Sequence, residues 1–468
     1  MHGTSTAGGF ATAEVADFIV NAKPPLSAIQ KGVSGIVDTL GVIVAGSVEP
    51  AVSILAASLD TEECSRAVPL LWERRKFRKS DAALLYGMAS HILDFDDVSM
   101  LAVCHPSAPV LSTLLAVGVS GRSGRDLCEA FVVGTEVMIR LGMAMKFRHY
   151  ALGFHTTATL GTIGAAAACA RFLSLDEKST ANAIAIAASS AGGIRKNFGS
   201  DVKSLHVGLA ALNGLRAVDL AKAGLSGADE PLGGLGFINA FTGAETNEWP
   251  RNVRLGEPFV VEDPGFEQKG YPCCYLLHRI VDGTLTARKQ HGLALDAVRY
   301  VHVDMPAGGT RPLIHPRPRS GLNALFSAPY AVVAALADGR IDLASFTDEQ
   351  VLRPQIQSRL ADIEVVEREG IALTGSDLGD APVTLTFVLK SGERIAIEVI
   401  ANPGSPAAPL SRSRLRDKWR SCFVHACAEA SGAEAESLFD EAIDQMTAMK
   451  DISDWLSRLR AGILGSAQ

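Results

Sequence analysis

Apolar residues recur at helical spacing from about residue 12 to residue 223, and this predicts a long run of helices. The bodies read as 13–21, 26–45, 51–59, 80–93, 106–119, 124–144, 157–172, 177–188 and 203–223, separated by short Gly, Ser and Asp breaks. No stretch of alternating polarity interrupts them. A Gly-rich segment, 224–243, closes the block. The pattern then changes. Residues 298–305 alternate and are β-branched, so they read as a strand, with a weaker one at 363–367. Residues 383–389 and 394–400 flank Lys390-Ser391-Gly392-Glu393 and predict a hairpin. Helices are expected at 275–291, 328–337 and 348–360, and again from 412 to 464 after a Pro-containing link. The fold class expected is mainly α. A large helical domain (1–264) is joined to a smaller α+β lid (265–402), with C-terminal helices (403–468) packing back on the first domain.

Composition sharpens this only in part. Of 468 residues 47% are hydrophobic but only 6% aromatic, so helix contacts should rest on small aliphatic side chains. The net charge of -7 and the lack of a basic stripe argue against nucleic acid. The one basic cluster, Arg74 to Lys79, reads as a solvated loop. The start of the chain has no charged segment leading into an apolar one, and the most apolar runs fall short of the ~18 residues of a membrane span. A cytoplasmic protein without membrane contact is expected. The eight cysteines form no C-x-x-C pair, so neither a disulfide framework nor a structural zinc is expected.

Candidate chemistry gathers at three helix starts. His105 precedes Pro106, a residue suited to a first helical turn. His155 follows Gly153-Phe154 and precedes two threonines, either of which can cap the Ala-rich helix. Lys203 follows Ser200 and Asp201, again candidate caps. Helix N-termini attract anions and disfavour protonated Lys or His, which shifts such groups towards a general base's range. If the three converge, they make a site for a small carboxylate.

Other segments allow several readings. His91 to Asp97 carries three carboxylates, which fit a solvated helix end, an oxygen-ligand metal site without calcium-loop spacing, or an orienting group for a catalytic His or Lys. Tyr150 can exchange a proton only if its phenol reaches the same pocket. Ser200-x-x-Lys203 matches an acyl-transfer pattern, but no K-T-G element supports it. Lys269 lies near a domain junction, beside Cys273 and Cys274.

Taken in order, HILDFDDVSM with CHPSAPVLSTLLA, YALGFHTTATLGTIGAAAA, FGSDVKSLHVGLAALNGLRAVDLA and KGYPCC resemble the MmgE/PrpD family over most of the chain. The resemblance implies a homodimer without organic cofactor, its site between a helical domain and a lid, and no metal is expected. It implies a small di- or tricarboxylate as substrate, with Asp94, His105, His155, Lys203 and Lys269 at active-site positions. Known activities include 2-methylcitrate dehydratase, cis-aconitate decarboxylase and iminodisuccinate epimerase. Two departures bear on the choice. Val98 stands where decarboxylases and dehydratases often carry Thr, and Cys273 where decarboxylases carry another His. Decarboxylation is therefore disfavoured. The leading expectation is epimerisation of an iminodisuccinate-like dicarboxylate by Lys203 and Tyr150, with Lys269, Ser200 and Cys273 holding the substrate. Dehydration of a 2-methylcitrate-like hydroxy acid is the alternative. A non-catalytic carboxylate-binding protein is a third.

Overall fold

The computed structural model describes residues 12–60, 67–243, 254–427 and 432–465. The N-terminal segment Met1 to Phe10 and Cys64 lie outside these. The protein is mainly helical, with two small sheets among the described residues. The first block contains the helices Thr12–Asn21, Leu26–Gly46, Pro50–Ala57, Lys79–His91, Ser107–Val117, Gly124–Met145, Thr156–Phe172, Glu177–Ser190 and Asp201–Lys222. Each falls within a few residues of its predicted body. One expectation fails here. Strands β1 (Val68–Pro69) and β2 (Lys76–Phe77) pair antiparallel inside a block read as wholly helical. Two-residue strands are too short to show alternation, although Phe77 is buried.

Small residues set how closely these helices cross. A Cβ on Gly87 would lie 2.5 Å from the Cα of Gly208, so the helices Lys79–His91 and Asp201–Lys222 touch backbone to backbone there. His91 is one turn beyond Gly87, and Lys203 a little over one turn before Gly208. The crossing therefore brings His91 to Lys203, with Nε2 and Nζ 2.9 Å apart. The helix Leu26–Gly46 has 21 residues and is apolar enough to cross a membrane, which the expectation of only short apolar runs missed. Most of it is buried in the core, and Lys418 and Trp419 of the helix Arg412–Ala426 pack on it.

The second sheet is built by β3 (Val298–Met305), β4 (Ile363–Glu367), β5 (Val383–Leu389) and β6 (Arg394–Val399), in the order β4-β3-β5-β6. The β3–β4 pair is parallel, and the other two pairs are antiparallel. The helices His278–His291 and Ala328–Asp338 cover it. The helix expected at 348–360 is broken into Asp348–Val351, Pro354–Gln357 and a 3-10 turn at Leu360–Asp362. Pro354 has no N–H to give and forces Arg353 into an extended conformation (ψ 128°). One apolar core runs through the first block and takes in Leu415, Trp419, Phe423 and Trp455. A second core surrounds the four-stranded sheet. All seven described cysteines are buried and unpaired.

Candidate functional site

The three helix starts converge on one cavity of about 90 Å³ between the two cores. His105, His155 and Lys203 line it, together with Asp94, Tyr150, Lys269 and Arg311. The caps differ from expectation. His155 itself takes the N-cap position, and no side chain caps the helix. Thr156 Oγ1 instead donates to the Val103 carbonyl, and Thr157 Oγ1 accepts from the His105 amide at 3.1 Å. Both threonines thus tie the His155 helix to the loop carrying His105. Ser200 sits at the N-cap of the Lys203 helix, but its hydroxyl donates to the Asn197 carbonyl.

Asp94 is the hub. It sits at φ 48°, a left-handed conformation that Asp tolerates better than most residues, where the helix Lys79–His91 gives way to the acidic loop. Its Oδ1 accepts from Lys203 Nζ at 2.6 Å, and its Oδ2 lies 3.2 Å from Lys269 Nζ. Lys269 also donates to the Asp94 carbonyl at 2.6 Å. Burial alone would raise the Asp94 carboxyl, but Lys203 and Lys269 outweigh it and hold it well below the usual range. Lys269 is fully buried. Burial works against its charge, yet Asp94 and Asp96 lift its ammonium above the ordinary value. Paired backbone bonds between Val98 and Glu267 fix the segment that delivers it.

A second carboxylate organises the histidines. Asp96 Oδ2 lies 2.8 Å from His91 Nδ1 and 3.3 Å from His105 Nδ1. With its Nδ1–H donating to Asp96, His91 presents a lone pair on Nε2 to the Lys203 ammonium. Burial pushes His91 down to about 3, so it is neutral. His155 is also held well below the usual range, by burial and by the charges around it. Its Nδ1 lies 3.1 Å from His206 Nδ1, and its Nε2 has no hydrogen-bond partner. A neutral buried imidazole with a free nitrogen beside a cavity can act as a general base.

His91, Asp94, Asp96 and His105 offer four ligand atoms within 4.8 Å of one another. A divalent ion there would face both Lys203 and Lys269, which already neutralise Asp94, so the donor set fits an ion-pair network better than a metal.

Two predicted residues lie elsewhere. Cys273 is fully buried and outside the cavity wall; Cys274 lines it instead. Ser200 borders only a much smaller void behind Lys203. Tyr150 is in the wall, with the Arg195 guanidinium 4.1 Å from its ring centre. Burial raises its phenol despite that charge. The sequence marks the His91 to Asp97 segment without setting His91 or Asp96 apart within it, and it leaves His206 and Arg311 unmarked. His206 reaches out of its own helix to meet His155.

Asp97 gives a test of the buried loop. Its carboxyl accepts from the Ser107 amide and hydroxyl, yet burial, with Asp38 and Asp96 nearby, lifts it to about 7. Burial lifts Glu267 to about 8. Both carboxyls hold their protons in the folded state at pH values where the unfolded chain has lost them. Stability should therefore fall as pH rises from about 4 to about 8, by on the order of 4 kcal/mol for a fully shifted group. Asp97→Asn should flatten this fall, measured as urea midpoints at pH 5 and pH 8. An unchanged pH slope would refute the assignment.

The order of these segments agrees with comparisons to known proteins. Residues 13–250 match the MmgE/PrpD N-terminal domain, and residues 271–445 match the MmgE/PrpD C-terminal domain. The cis-aconitate decarboxylase of Mus musculus is 30% identical over 409 residues, covering 84% of this chain and 81% of the relative. That of Homo sapiens is 30% identical, covering 84% of this chain and 82% of the relative. A cis-aconitate decarboxylase of Aspergillus terreus is 26% identical, with 79% of each covered. None of these names supports the iminodisuccinate epimerase expectation. With both domain matches, and with two relatives at this identity over most of their length, the chain belongs to the MmgE/PrpD family.

Proposed function

We propose that this protein is a lyase that moves a proton at carbon beside a carboxylate of a small polycarboxylate, with a cis-aconitate-like acid as the first candidate. The observation carrying this is the meeting of His105, His155 and Lys203 in one cavity wall, at the starts of three helices. Helix N-termini favour the substrate's carboxylates. His155, neutral and backed by His206, is the base we assign. Lys203 changes role from the expected base. Its ammonium already donates to Asp94 and to His91, so it serves as proton donor and electrostatic support. His105, beside Asp96, is the second proton-transfer group.

Two branches use this set. In decarboxylation the bond from carbon to one carboxylate breaks, and its electron pair delocalises towards the neighbouring unsaturated carboxylate. Carbon dioxide leaves, and one proton is added to carbon. In dehydration His155 takes the proton beside a carboxylate, the hydroxyl leaves with a proton from Lys203 or His105, and water and an alkene result. The relatives' names favour the first branch. The argument that Cys273 disfavours it loses its footing, because Cys273 is outside the cavity wall.

Purified protein should be offered cis-aconitate, citrate, 2-methylcitrate and iminodisuccinate, with carbon dioxide and NMR product spectra recorded. Conversion of cis-aconitate with carbon dioxide release is expected. Dehydration of a hydroxy acid without carbon dioxide would select the other branch. Epimerised iminodisuccinate with no lyase product from any acid would overturn the reading. Binding of these acids without any conversion would restore the non-catalytic alternative.

A further inference from the structure

The inner charges of the cavity are already matched. Asp94 pairs with both Lys203 and Lys269, and Asp96 lies against His91 and His105. His91 and His155 are held neutral. A substrate with two or three carboxylates needs further positive charge, and the wall contains one more cation, Arg311.

Arg311 differs from the lysines. It is exposed, on the connection after β3, and its guanidinium carbon lies 5.5 Å from the centre of the Phe147 ring. Among the described residues, no carboxylate lies within ion-pair distance of it. Glu367 feels its charge, but the Glu367 oxygens are engaged. They accept from the Gly308 amide at 2.8 Å, the Thr310 amide at 2.8 Å and the Thr310 hydroxyl at 2.5 Å. Leu373 N adds a bond to the Ala307 carbonyl. These bonds anchor the connection at the end of β4 and present the next residue, Arg311, to the cavity. A planar guanidinium held by an aromatic face, with no carboxylate paired to it among the described residues, suits bidentate recognition of a carboxylate.

We propose that Arg311 is a specificity-determining residue that binds the outermost carboxylate of the substrate and selects tricarboxylates over dicarboxylates. This rests on the polycarboxylate lyase reading. It acts in binding and takes no part in proton transfer.

The test uses two non-reactive probes in calorimetry at fixed ionic strength: tricarballylate, with three carboxylates, and glutarate, with two. Wild-type protein should bind tricarballylate more tightly. Arg311→Met should weaken tricarballylate by about tenfold to a hundredfold and glutarate much less, the scale of one charge-assisted bidentate contact. Arg311→Lys should recover part of the loss. With the converted substrate, Arg311→Met should raise KM while kcat stays within about threefold. Wild-type turnover together with an Arg311→Met protein that binds tricarballylate as tightly as wild type would overturn this inference alone. Wild-type protein that binds neither probe and converts no acid would overturn it together with the lyase reading. Arg311 is exposed, so its replacement should leave the thermal midpoint unchanged.

Discussion

Lys203→Met should lose at least ~100-fold in turnover, the usual scale for removing a group that gives or takes a proton. Its ammonium touches Asp94 and His91 and faces the cavity, so no neighbour can replace it in place. Lys203 is buried, so its replacement also bears on folding. Methionine leaves His91 Nε2 without its donor and Asp94 with Lys269 alone, so stability should fall by about 3 kcal/mol. Assays well below the lowered midpoint separate the two effects. A folded Lys203→Met protein with near-normal turnover would remove the proton donor from the scheme.

Asp94→Asn should produce the larger loss of stability. Asparagine keeps the shape and tolerates the left-handed backbone at this position, so the substitution removes charge and little else. Lys203 and the fully buried Lys269 would then lose their shared counter-charge. Leaving a buried ion pair half-made costs about 3–5 kcal/mol, and two ammoniums depend on this one carboxylate. Turnover should also collapse, because the Lys203 ammonium would no longer be aimed. Urea unfolding of the purified variant checks the first effect and steady-state assay the second. A midpoint equal to wild type would show that Asp94 is not the charge hub described.

How far the sequence carries depends on whether a signal is local. His105, His155 and Lys203 stand beside Pro106, Gly153 and Ser200-Asp201, which punctuate helices wherever they occur. Their roles could be read because a helix start has a field of its own. His91 and Asp96 carry no such mark. His91 matters because Gly87 meets Gly208, a crossing between residues far apart in the chain. His206 gains its contact in the same way, through the approach of two helices at His155. Arg311 lies in an irregular connection with no periodicity to place it. Cys273 and Cys274 show a finer limit. They are adjacent, and only the path of the backbone decides that Cys274 faces the cavity. The broken helix at Pro354 was legible in principle, since proline there removes the amide the helix needs.

In the proposed lyase reaction this cavity releases its product through proton transfer at carbon. The most direct measurement is NMR of cis-aconitate and, in a parallel sample, of iminodisuccinate, each incubated with the wild-type protein in heavy water, with carbon dioxide counted. A cis-aconitate lyase should yield one carbon dioxide per product molecule and one solvent deuteron at carbon in the product. Unchanged cis-aconitate, with deuterium exchanging only into the α-carbon of iminodisuccinate, would contradict it.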